Sequence, residues 1–252
     1  MIEINKQANG LLSIYFTAGY PQIDSTIEIA AALEKAGADF LEIGFPYSDP
    51  VADGPTIQHS SEVALKNGMT LNVLFDQLKE LRKRVSIPVF LMGYVNPVIQ
   101  FGVENFCKAC KEVGVNGTII PDLPMYEYED LYQGIFEENN VSNVFLVTPQ
   151  TSSERVKKID SLSTSFIYLL SSNATTGTKL DVQEQSESYF KRIKDMDLKN
   201  PLIIGFGIHN RDTFGKATQY ANGAIVGTAF VKLLAEENYL EKIPGFISAI
   251  KG

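Results

Sequence analysis

The sequence lacks several features that would place it in a broad class at once. It has no run of basic residues and its net charge is −8, which argues against binding to nucleic acid or to an anionic membrane surface. No apolar stretch approaches the roughly 20 residues that a membrane-spanning helix needs. The amino terminus (MIEINK) has neither the apolar core nor the cleavage site of a secretory signal. We therefore expect a cytoplasmic protein without a nucleic-acid or membrane partner.

Cysteine and histidine are scarce, since Cys107, Cys110, His59 and His209 are the complete set. The C-x-x-C spacing of the two cysteines could form half of a zinc site or a redox pair, but the sequence contains no second ligand pair. The segment around them has the pattern of a helix interior, so we interpret both as helix-packing residues in a reducing compartment. The histidines lie far apart and lack metal-ligand spacing. The sequence predicts no metal site.

Short apolar, β-branched segments recur along the chain at intervals of roughly 25–35 residues, with amphipathic helical patterns between them. The predicted strands are Leu12–Thr17, Phe40–Gly44, Val89–Met92, Gly117–Ile120, Val144–Val147, Phe166–Leu170, Leu202–Phe206 and Ala224–Val226. The predicted helices are Asp24–Ala36, Leu71–Val85, Glu104–Val113, Glu127–Asn139, Ser153–Leu162, Asp181–Met196, Arg211–Ala221 and Phe230–Lys251. Gly37, Gly114 and Gly223 follow helices and suit left-handed caps.

This alternation of strands and helices requires a parallel sheet, because each helix returns the chain to the edge where the next strand begins. Eight strand–helix units in 252 residues match a closed (β/α)8 barrel, the TIM barrel. The alternative is an open doubly wound sheet, which usually has a glycine-rich turn after its first strand. The segment Thr17–Pro21 (TAGYP) lacks that turn. We predict a single (β/α)8 barrel domain over residues 1–252.

The second predicted strand, Phe40–Gly44, carries a carboxylate among apolar neighbours. Alternate residues of a strand share a face, so Glu42 lies on the face opposite Leu41 and Ile43. Leu41 and Ile43 suit the layer of helices, which places Glu42 inside the barrel near the end of its strand. Apolar surroundings would raise the pKa of this carboxyl and suit it to proton transfer near neutral pH. The alternative is a buried glutamate that hydrogen bonds satisfy.

Two more carboxylates, Asp49 and Asp53, follow in the predicted irregular stretch Phe45–Ser60. This stretch lies on the side of the barrel where such enzymes build their active sites. Gly54 and Pro55 turn the chain sharply and could direct Asp53 over the barrel mouth. On residue pattern alone, a helix cap or Asx turn is the simpler role for Asp53, and a turn is the simpler role for Asp49.

Glycines in three late segments suggest a phosphate site. The segments are Thr176-Gly177 within the irregular stretch Ser171–Asp181, Gly205-Phe206-Gly207 after strand seven, and Gly227-Thr228 after strand eight. Glycine lets backbone N–H groups approach an anion, and barrels of this class often bind phosphate near these strands. No predicted strand contains a lysine for Schiff-base chemistry, and no cluster of histidines and carboxylates offers a metal. The residues indicate metal-free acid–base chemistry on a small phosphorylated molecule.

The segment Leu41–Gln58 (LEIGFPYSDPVADGPTIQ) closely resembles the signature of the tryptophan synthase alpha subunit family. The similarity extends over nearly the whole chain and includes TAGYP, MGYVNP, PDLP, YLLS, the Thr-Gly pair at 176–177 and GFGI. The resemblance implies retro-aldol cleavage of indole-3-glycerol phosphate to indole and glyceraldehyde 3-phosphate. Two alternatives stay open on the residues alone. They are another phosphate-binding barrel, such as a sugar-phosphate isomerase or a Schiff-base aldolase, and a non-catalytic subunit that docks on a partner.

The resemblance also implies roles for individual residues. Glu42 would be the general acid and base, Asp53 would accept a hydrogen bond from the indole N–H, and Tyr168 would lie beside the glutamate. Tyr15 sits where a phenylalanine often lines the indole pocket. The residues in substrate-binding positions are Tyr15, Thr176, Gly177, Phe206, Gly207, Gly227 and Thr228.

An α2β2 complex with a tryptophan synthase beta subunit is a further implication of the resemblance. Asp49 and Pro50 would then face that partner. The chain itself would need no cofactor, because pyridoxal phosphate belongs to the beta subunit. The segment Ser171–Gly177 departs from the pattern of many family members, so the closure of this loop over the substrate would differ.

Overall fold

Parallel strands form one continuous sheet in the computed structural model, which describes residues 4–170, 179–205 and 207–252, and residues 179–185 by their backbone alone. The strands in this part of the chain are β1 Leu11–Thr17, β2 Phe40–Gly44, β3 Val89–Met92, β4 Gly117–Ile119, β5 Ser142–Val144, β6 Leu146–Val147, β7 Ile167–Leu170, β8 Leu202–Gly205 and β9 Gly223–Val226. They lie in the order β5-β4-β3-β2-β1-β9-β8-β7-β6. Because Phe145 alone separates β5 from β6, the two ends of the sheet meet. The predicted (β/α)8 barrel is confirmed.

Helices connect the strands and cover the outside of the sheet. They are α1 Thr26–Ala36, α2 Pro55–Lys66, α3 Leu71–Leu78, α4 Leu81–Arg84, α5 Val95–Phe101, α6 Val103–Val113, α7 Met125–Glu127, a π-helical turn Tyr128–Tyr132, α8 Gln133–Glu138, α9 Ser153–Leu162, α10 Lys179–Lys194, α11 Arg211–Ala217, α12 Thr228–Leu234 and α13 Tyr239–Lys251. Gly37 (φ 105°) and Gly114 (φ 78°) end α1 and α6 in the left-handed conformation, as predicted.

Alternate residues of the strands divide between two apolar clusters. Leu41 and Ile43 pack in the larger cluster, between the sheet and the helices. Phe40 lies inside the barrel with Phe90 and Phe166, and the centroids of these three rings are 5.1–6.1 Å apart. Since side chains alternate along a strand, Glu42 shares the interior face with Phe40, as predicted.

Polar side chains close the barrel at the amino ends of its strands. Asp39 Oδ2 accepts a hydrogen bond from the N–H of Leu12 at 2.7 Å, and Asn222 Oδ1 accepts one from the N–H of Leu202 at 2.9 Å. Asn116 Oδ1 does the same for the residue that begins β3. These bonds satisfy backbone groups at an edge where burial without a partner would be costly. In barrels of this class this face serves stability, and the opposite face is left for the site.

Several predicted elements need correction. The stretch Phe45–Ser60 is not irregular throughout, because α2 begins at Pro55. Proline has no N–H to donate and its fixed φ suits the first helical position. The predicted single helix Phe230–Lys251 is also wrong, since the chain leaves helical geometry after Leu234 and Asn238 takes a left-handed φ of 55° before α13.

Gly223 is not a helix cap but the first residue of β9. A Cβ atom at this position would overlap the backbone oxygen of Leu11 on the neighbouring strand. Close approach of two strands, rather than a left-handed φ, therefore requires the glycine. Elsewhere, the predicted helices Leu71–Val85 and Glu127–Asn139 are subdivided, and α5 was not predicted.

Cys107 and Cys110 are both buried on α6 as free thiols, which agrees with a packing role. In the part of the chain that the structure describes, no helix has the length and apolar character to cross a membrane. The cytoplasmic location and the single-domain organisation stay predictions.

Candidate active site

A cavity of about 620 Å³ lies at the carboxyl ends of the strands. It brings together seven residues that the sequence predicts for the site, namely Tyr15, Glu42, Asp53, Tyr168, Gly207, Gly227 and Thr228. The predicted residues Thr176, Gly177 and Phe206 lie outside the described residues. Barrel enzymes bind their substrates at this face, so the cavity is the candidate active site.

Glu42 lines this cavity although none of its surface is exposed to solvent. Its register neighbours are Tyr15 on β1 and Phe90 on β3. Burial raises the pKa of the Glu42 carboxyl to about 8. The Ser13 hydroxyl opposes this shift, although neither carboxyl oxygen meets the geometry of a hydrogen bond to any described residue. A glutamate so placed is mostly protonated at neutral pH, which suits it to proton transfer.

Asp53 enters the cavity from the segment between β2 and α2. Its Oδ2 accepts a hydrogen bond from Tyr94 Oη at 3.1 Å. Burial raises the pKa of Asp53, whereas the hydrogen bond from Tyr94 lowers it and so favours the ionised form. The helix-cap alternative is not what the structure shows, because Gly54 occupies the cap of α2 and no side chain caps that helix.

The rings of Tyr15 and Tyr168 lie against glycines at the ends of neighbouring strands. A Cβ atom on Gly44 would overlap the hydroxyl of Tyr15, and one on Gly205 would overlap the hydroxyl of Tyr168. Both rings therefore depend on a residue without a side chain on the next strand. Burial raises the pKa of both phenols, and nearby carboxylates raise it further. The two hydroxyls stay protonated at neutral pH.

Residues that follow β8 and β9 form another part of the wall. Gly207 takes a left-handed φ of 75°, and Gly227 precedes α12, whose first residue is Thr228. Lys232 lines the cavity from the next turn of α12. Backbone N–H groups, a hydroxyl and an ammonium group are the usual ligands of a phosphate. This wall therefore suits the anionic end of a ligand.

Comparison with known proteins assigns nearly all of the chain to one family. The family model for the tryptophan synthase alpha chain matches residues 1–244. The tryptophan synthase alpha chain of Flavobacterium psychrophilum is 56% identical over 240 residues, which are 95% of this chain and 94% of that one. This chain belongs to the tryptophan synthase alpha chain family.

Solved structures agree with the assignment to the tryptophan synthase alpha chain family. The tryptophan synthase A-subunit from Pyrococcus furiosus superposes with a TM-score of 0.87 at 36% identity, over 96% of this chain and 98% of that one. A chain from the tryptophan synthase complex of Pyrococcus furiosus gives a TM-score of 0.86 at 34% identity, over 96% and 98%. The resemblance read from the sequence is confirmed, and it sets aside membership in another phosphate-binding barrel family.

Tyr94 holds Asp53 in place in this family member, although it was not predicted as a site residue. Besides its bond to Asp53, its hydroxyl accepts a hydrogen bond from the N–H of Ala52 at 3.0 Å. Its ring centroid is 5.3 Å from that of Tyr47, whose hydroxyl accepts from Asn96 Nδ2 at 3.1 Å. Tyr94 thus fixes both the backbone and the side chain of the Asp53 segment. Its position just beyond the third predicted strand, at the end of the barrel where the site lies, could have indicated this role.

Lys232 was also missed. The predicted helix begins only at Phe230, whereas α12 begins at Thr228. A helix placed two residues earlier would have put Lys232, four residues after Thr228, on the same helix face. His209 lines the cavity as well, and its Nδ1 is 2.9 Å from the carbonyl oxygen of Gly207.

Asp49 and Pro50 do not line this cavity of the tryptophan synthase alpha chain fold. They lie in a separate groove of about 610 Å³ between the segment after β2 and the outer face of α2. The Asp49 carboxylate accepts from the Ser48 hydroxyl, and its carbonyl accepts from the N–H of Val51. The expected turn at Asp49 is therefore present.

No group of three or more His, Cys, Asp and Glu side chains within residues 4–170, 179–205 and 207–252 is arranged to hold a metal ion. The polar groups that line the cavity are carboxyl, phenol, hydroxyl, imidazole, backbone amide and ammonium groups, which can carry acid–base and anion-binding chemistry. The expectation that the chain uses no cofactor stays a prediction.

Proposed function

We propose that this chain is the alpha subunit of a tryptophan synthase and cleaves indole-3-glycerol phosphate to indole and glyceraldehyde 3-phosphate. The observation that carries the proposal is the buried carboxyl of Glu42, with a pKa of about 8, in one cavity with Asp53 and a glycine-bearing wall. Retro-aldol cleavage of an indole needs an acid at the ring carbon and an anion near the ring nitrogen. The reaction class is a carbon–carbon lyase of tryptophan biosynthesis, in keeping with the family.

Glu42 moves the protons in this reaction. Its protonated carboxyl gives a proton to C3 of the indole ring, which makes the ring a cationic iminium. The resulting carboxylate takes the proton from the hydroxyl on the adjacent side-chain carbon. The carbon–carbon bond then breaks, its electron pair restores the aromatic ring, and the side-chain carbon becomes an aldehyde. Glu42 ends protonated, so the cycle needs no oxidant or cofactor.

The remaining residues orient the substrate and stabilise the cationic intermediate. Asp53 accepts a hydrogen bond from the ring N–H and stabilises the cationic intermediate, while Tyr168 packs beside Glu42 and the ring. The phosphate binds at the wall formed by Gly207, Gly227 and Thr228, near Lys232. Thr176, Gly177 and Phe206 are assigned to substrate binding on the family resemblance alone.

The proposal is tested by indole release from indole-3-glycerol phosphate by the purified chain, alone and with a tryptophan synthase beta chain. We expect indole and glyceraldehyde 3-phosphate in equal amounts. Absence of cleavage under both conditions would contradict the proposal and favour the alternative of a non-catalytic subunit.

Replacing Asp53 with asparagine is expected to slow cleavage about 10- to 100-fold, because the bond to the ring N–H loses its charge assistance. Steady-state indole release measures the effect. Asp195→Asn, an exposed position after α10, is the matched control and should cleave at the wild-type rate. An equal rate for Asp53→Asn would remove Asp53 from the mechanism. Circular dichroism checks that both variants are folded.

The same proposal includes a beta subunit as partner, in an α2β2 complex in which pyridoxal phosphate belongs to the beta chain. We assign the partner surface to the groove that contains Asp49 and Pro50. Val51 supports this assignment, because it is 87% exposed beside them and a large exposed apolar side chain often marks an interface.

Val51→Asp should weaken binding of the beta chain on the order of tenfold or more, because an unpaired charge would be buried in the interface. Titration calorimetry with the beta chain measures this change. Asn9→Asp adds the same charge at the opposite end of the barrel and should bind normally. Cleavage by Val51→Asp without the partner should match wild type. Unchanged affinity for Val51→Asp would place the partner elsewhere.

A further inference from the structure

Three hydroxyl side chains form a chain that leads from the cavity into the protein. Tyr15 Oη lies 3.5 Å from Thr17 Oγ1, which lies 2.7 Å from Ser60 Oγ. Ser60 Oγ donates to the carbonyl oxygen of Ile57 at 2.8 Å. Thr17 and Ser60 have no exposed surface, whereas Tyr15 lines the cavity. The chain therefore connects the cavity wall to the inner face of α2.

The direction of this chain follows from the number of protons. A carbonyl oxygen can only accept, so the Ser60 hydroxyl donates its single proton to Ile57 and must accept a hydrogen bond from Thr17. The Thr17 hydroxyl therefore donates its own proton to Ser60 and can only accept a hydrogen bond from Tyr15. The Tyr15 proton thus points toward Thr17, which leaves the Tyr15 oxygen able to accept a hydrogen bond.

The position of this oxygen is fixed by packing. The ring of Tyr15 lies against Gly44, where a Cβ atom would overlap the hydroxyl. Tyr15 is also the register neighbour of Glu42 on the adjacent strand, and the two residues line the same cavity. Burial, and then the charges of Asp53 and Glu42, raise the pKa of Tyr15. Its hydroxyl therefore stays protonated during the reaction. An oriented acceptor therefore stands beside the proposed acid.

We propose that the Tyr15 hydroxyl is a specificity-determining group, which accepts a hydrogen bond from a hydroxyl on the glycerol side chain of the substrate and holds it at Glu42. This inference rests on the proposed function. It adds that the site distinguishes a hydroxylated side chain from an alkyl side chain, which an apolar wall would not do. A site that pairs a substrate hydroxyl distinguishes it from an alkyl analogue, because the analogue leaves the protein acceptor unpaired. The cavity would thus select a hydroxylated side chain over a propyl one.

The test compares Tyr15→Phe with wild type on two probes. One is indole-3-glycerol phosphate, and the other is indole-3-propyl phosphate, which lacks both side-chain hydroxyls. We expect kcat/KM for cleavage to fall about three- to tenfold in Tyr15→Phe, while the affinity for the propyl analogue stays within roughly twofold. Calorimetry in the Glu42→Gln background measures the binding of uncleaved substrate. There, Tyr15→Phe should lose the preference for the glycerol compound over the propyl one.

Thr17 provides the control for orientation. Thr17→Val removes the acceptor of the Tyr15 proton and should reproduce part of the Tyr15→Phe loss, whereas Thr17→Ser keeps the hydroxyl and should restore the preference. Equal weakening of both probes in Tyr15→Phe would make Tyr15 an aromatic wall only, and an unchanged preference would remove its hydroxyl from recognition. Failure of wild type to cleave would overturn the proposed function instead, while the binding preference would still decide the role of Tyr15.

Discussion

Glu42→Gln is expected to reduce cleavage of indole-3-glycerol phosphate about a thousandfold, the middle of the range for loss of a positioned proton-transfer group. The amide is close in size and shape to the carboxyl, so the barrel should fold, but it can neither protonate the ring carbon nor accept the hydroxyl proton. Indole release with the beta chain present measures the loss. The wild-type rate should fall on the alkaline side of about pH 8, because burial raises the pKa of Glu42 to about 8 and the acid form is required.

The control for this substitution is Glu112→Gln, an exposed position on α6, which should keep the wild-type rate. A rate for Glu42→Gln near that of wild type would contradict the mechanism. A large loss in Glu112→Gln would show instead that the assay responds to folding or to net charge.

Glu42→Gln should slow cleavage but stabilise the fold at alkaline pH. Because the pKa of Glu42 is raised in the folded chain, the unfolded chain releases this proton at lower pH, and wild type loses stability as pH rises from about 4.5 to about 8. Glu42→Gln does not titrate and should avoid this loss, which is about 4 kcal/mol over that interval. Urea unfolding at pH 5 and pH 9 measures it. Equal pH dependence in the two proteins would contradict the raised pKa.

The position of Glu42 could be predicted from sequence because strand periodicity is a local property. Leu41 and Ile43 need the helix layer, and the alternation of side chains then leaves Glu42 one direction, into the barrel. The barrel itself followed from counting strand–helix units. Helix α2, which begins at Pro55, was not predicted, because polar residues dominate its exposed face and weaken the helical periodicity of its apolar residues.

The role of Asp53 could not be decided from local pattern, because the deciding contact comes from another strand. Its partner Tyr94 lies 41 positions away along the chain, and no spacing rule connects the two. The same reason hid the hydroxyl chain from Tyr15 to Ser60, which spans β1 and α2. Residues that touch the cavity are predictable one strand at a time, whereas their mutual orientation requires the closed barrel.

A large loss of stability is expected when the apolar interior of the barrel is disturbed at Phe166. Phe166 has no exposed surface and packs against Phe90 at 5.1 Å and Phe40 at 5.5 Å between ring centroids. Phe166→Ala should lower the free energy of unfolding by about 3–5 kcal/mol, because the lost apolar contacts are accompanied by a cavity that the rigid sheet cannot fill. Urea unfolding followed by circular dichroism measures the change. Phe166→Leu retains most of the volume and should cost clearly less.

This loss should also reach the active site. Tyr168 on β7 belongs to the same interior cluster as Phe166, which directly precedes this strand, so a void at Phe166 removes the support that holds the Tyr168 ring against Gly205. We therefore expect Phe166→Ala to cleave severalfold more slowly than Phe166→Leu even at temperatures where both are folded. Tyr126→Ala, at a 64% exposed ring, is the control and should change neither property. A cost for Phe166→Ala as small as that control would mean that the barrel interior does not support the site.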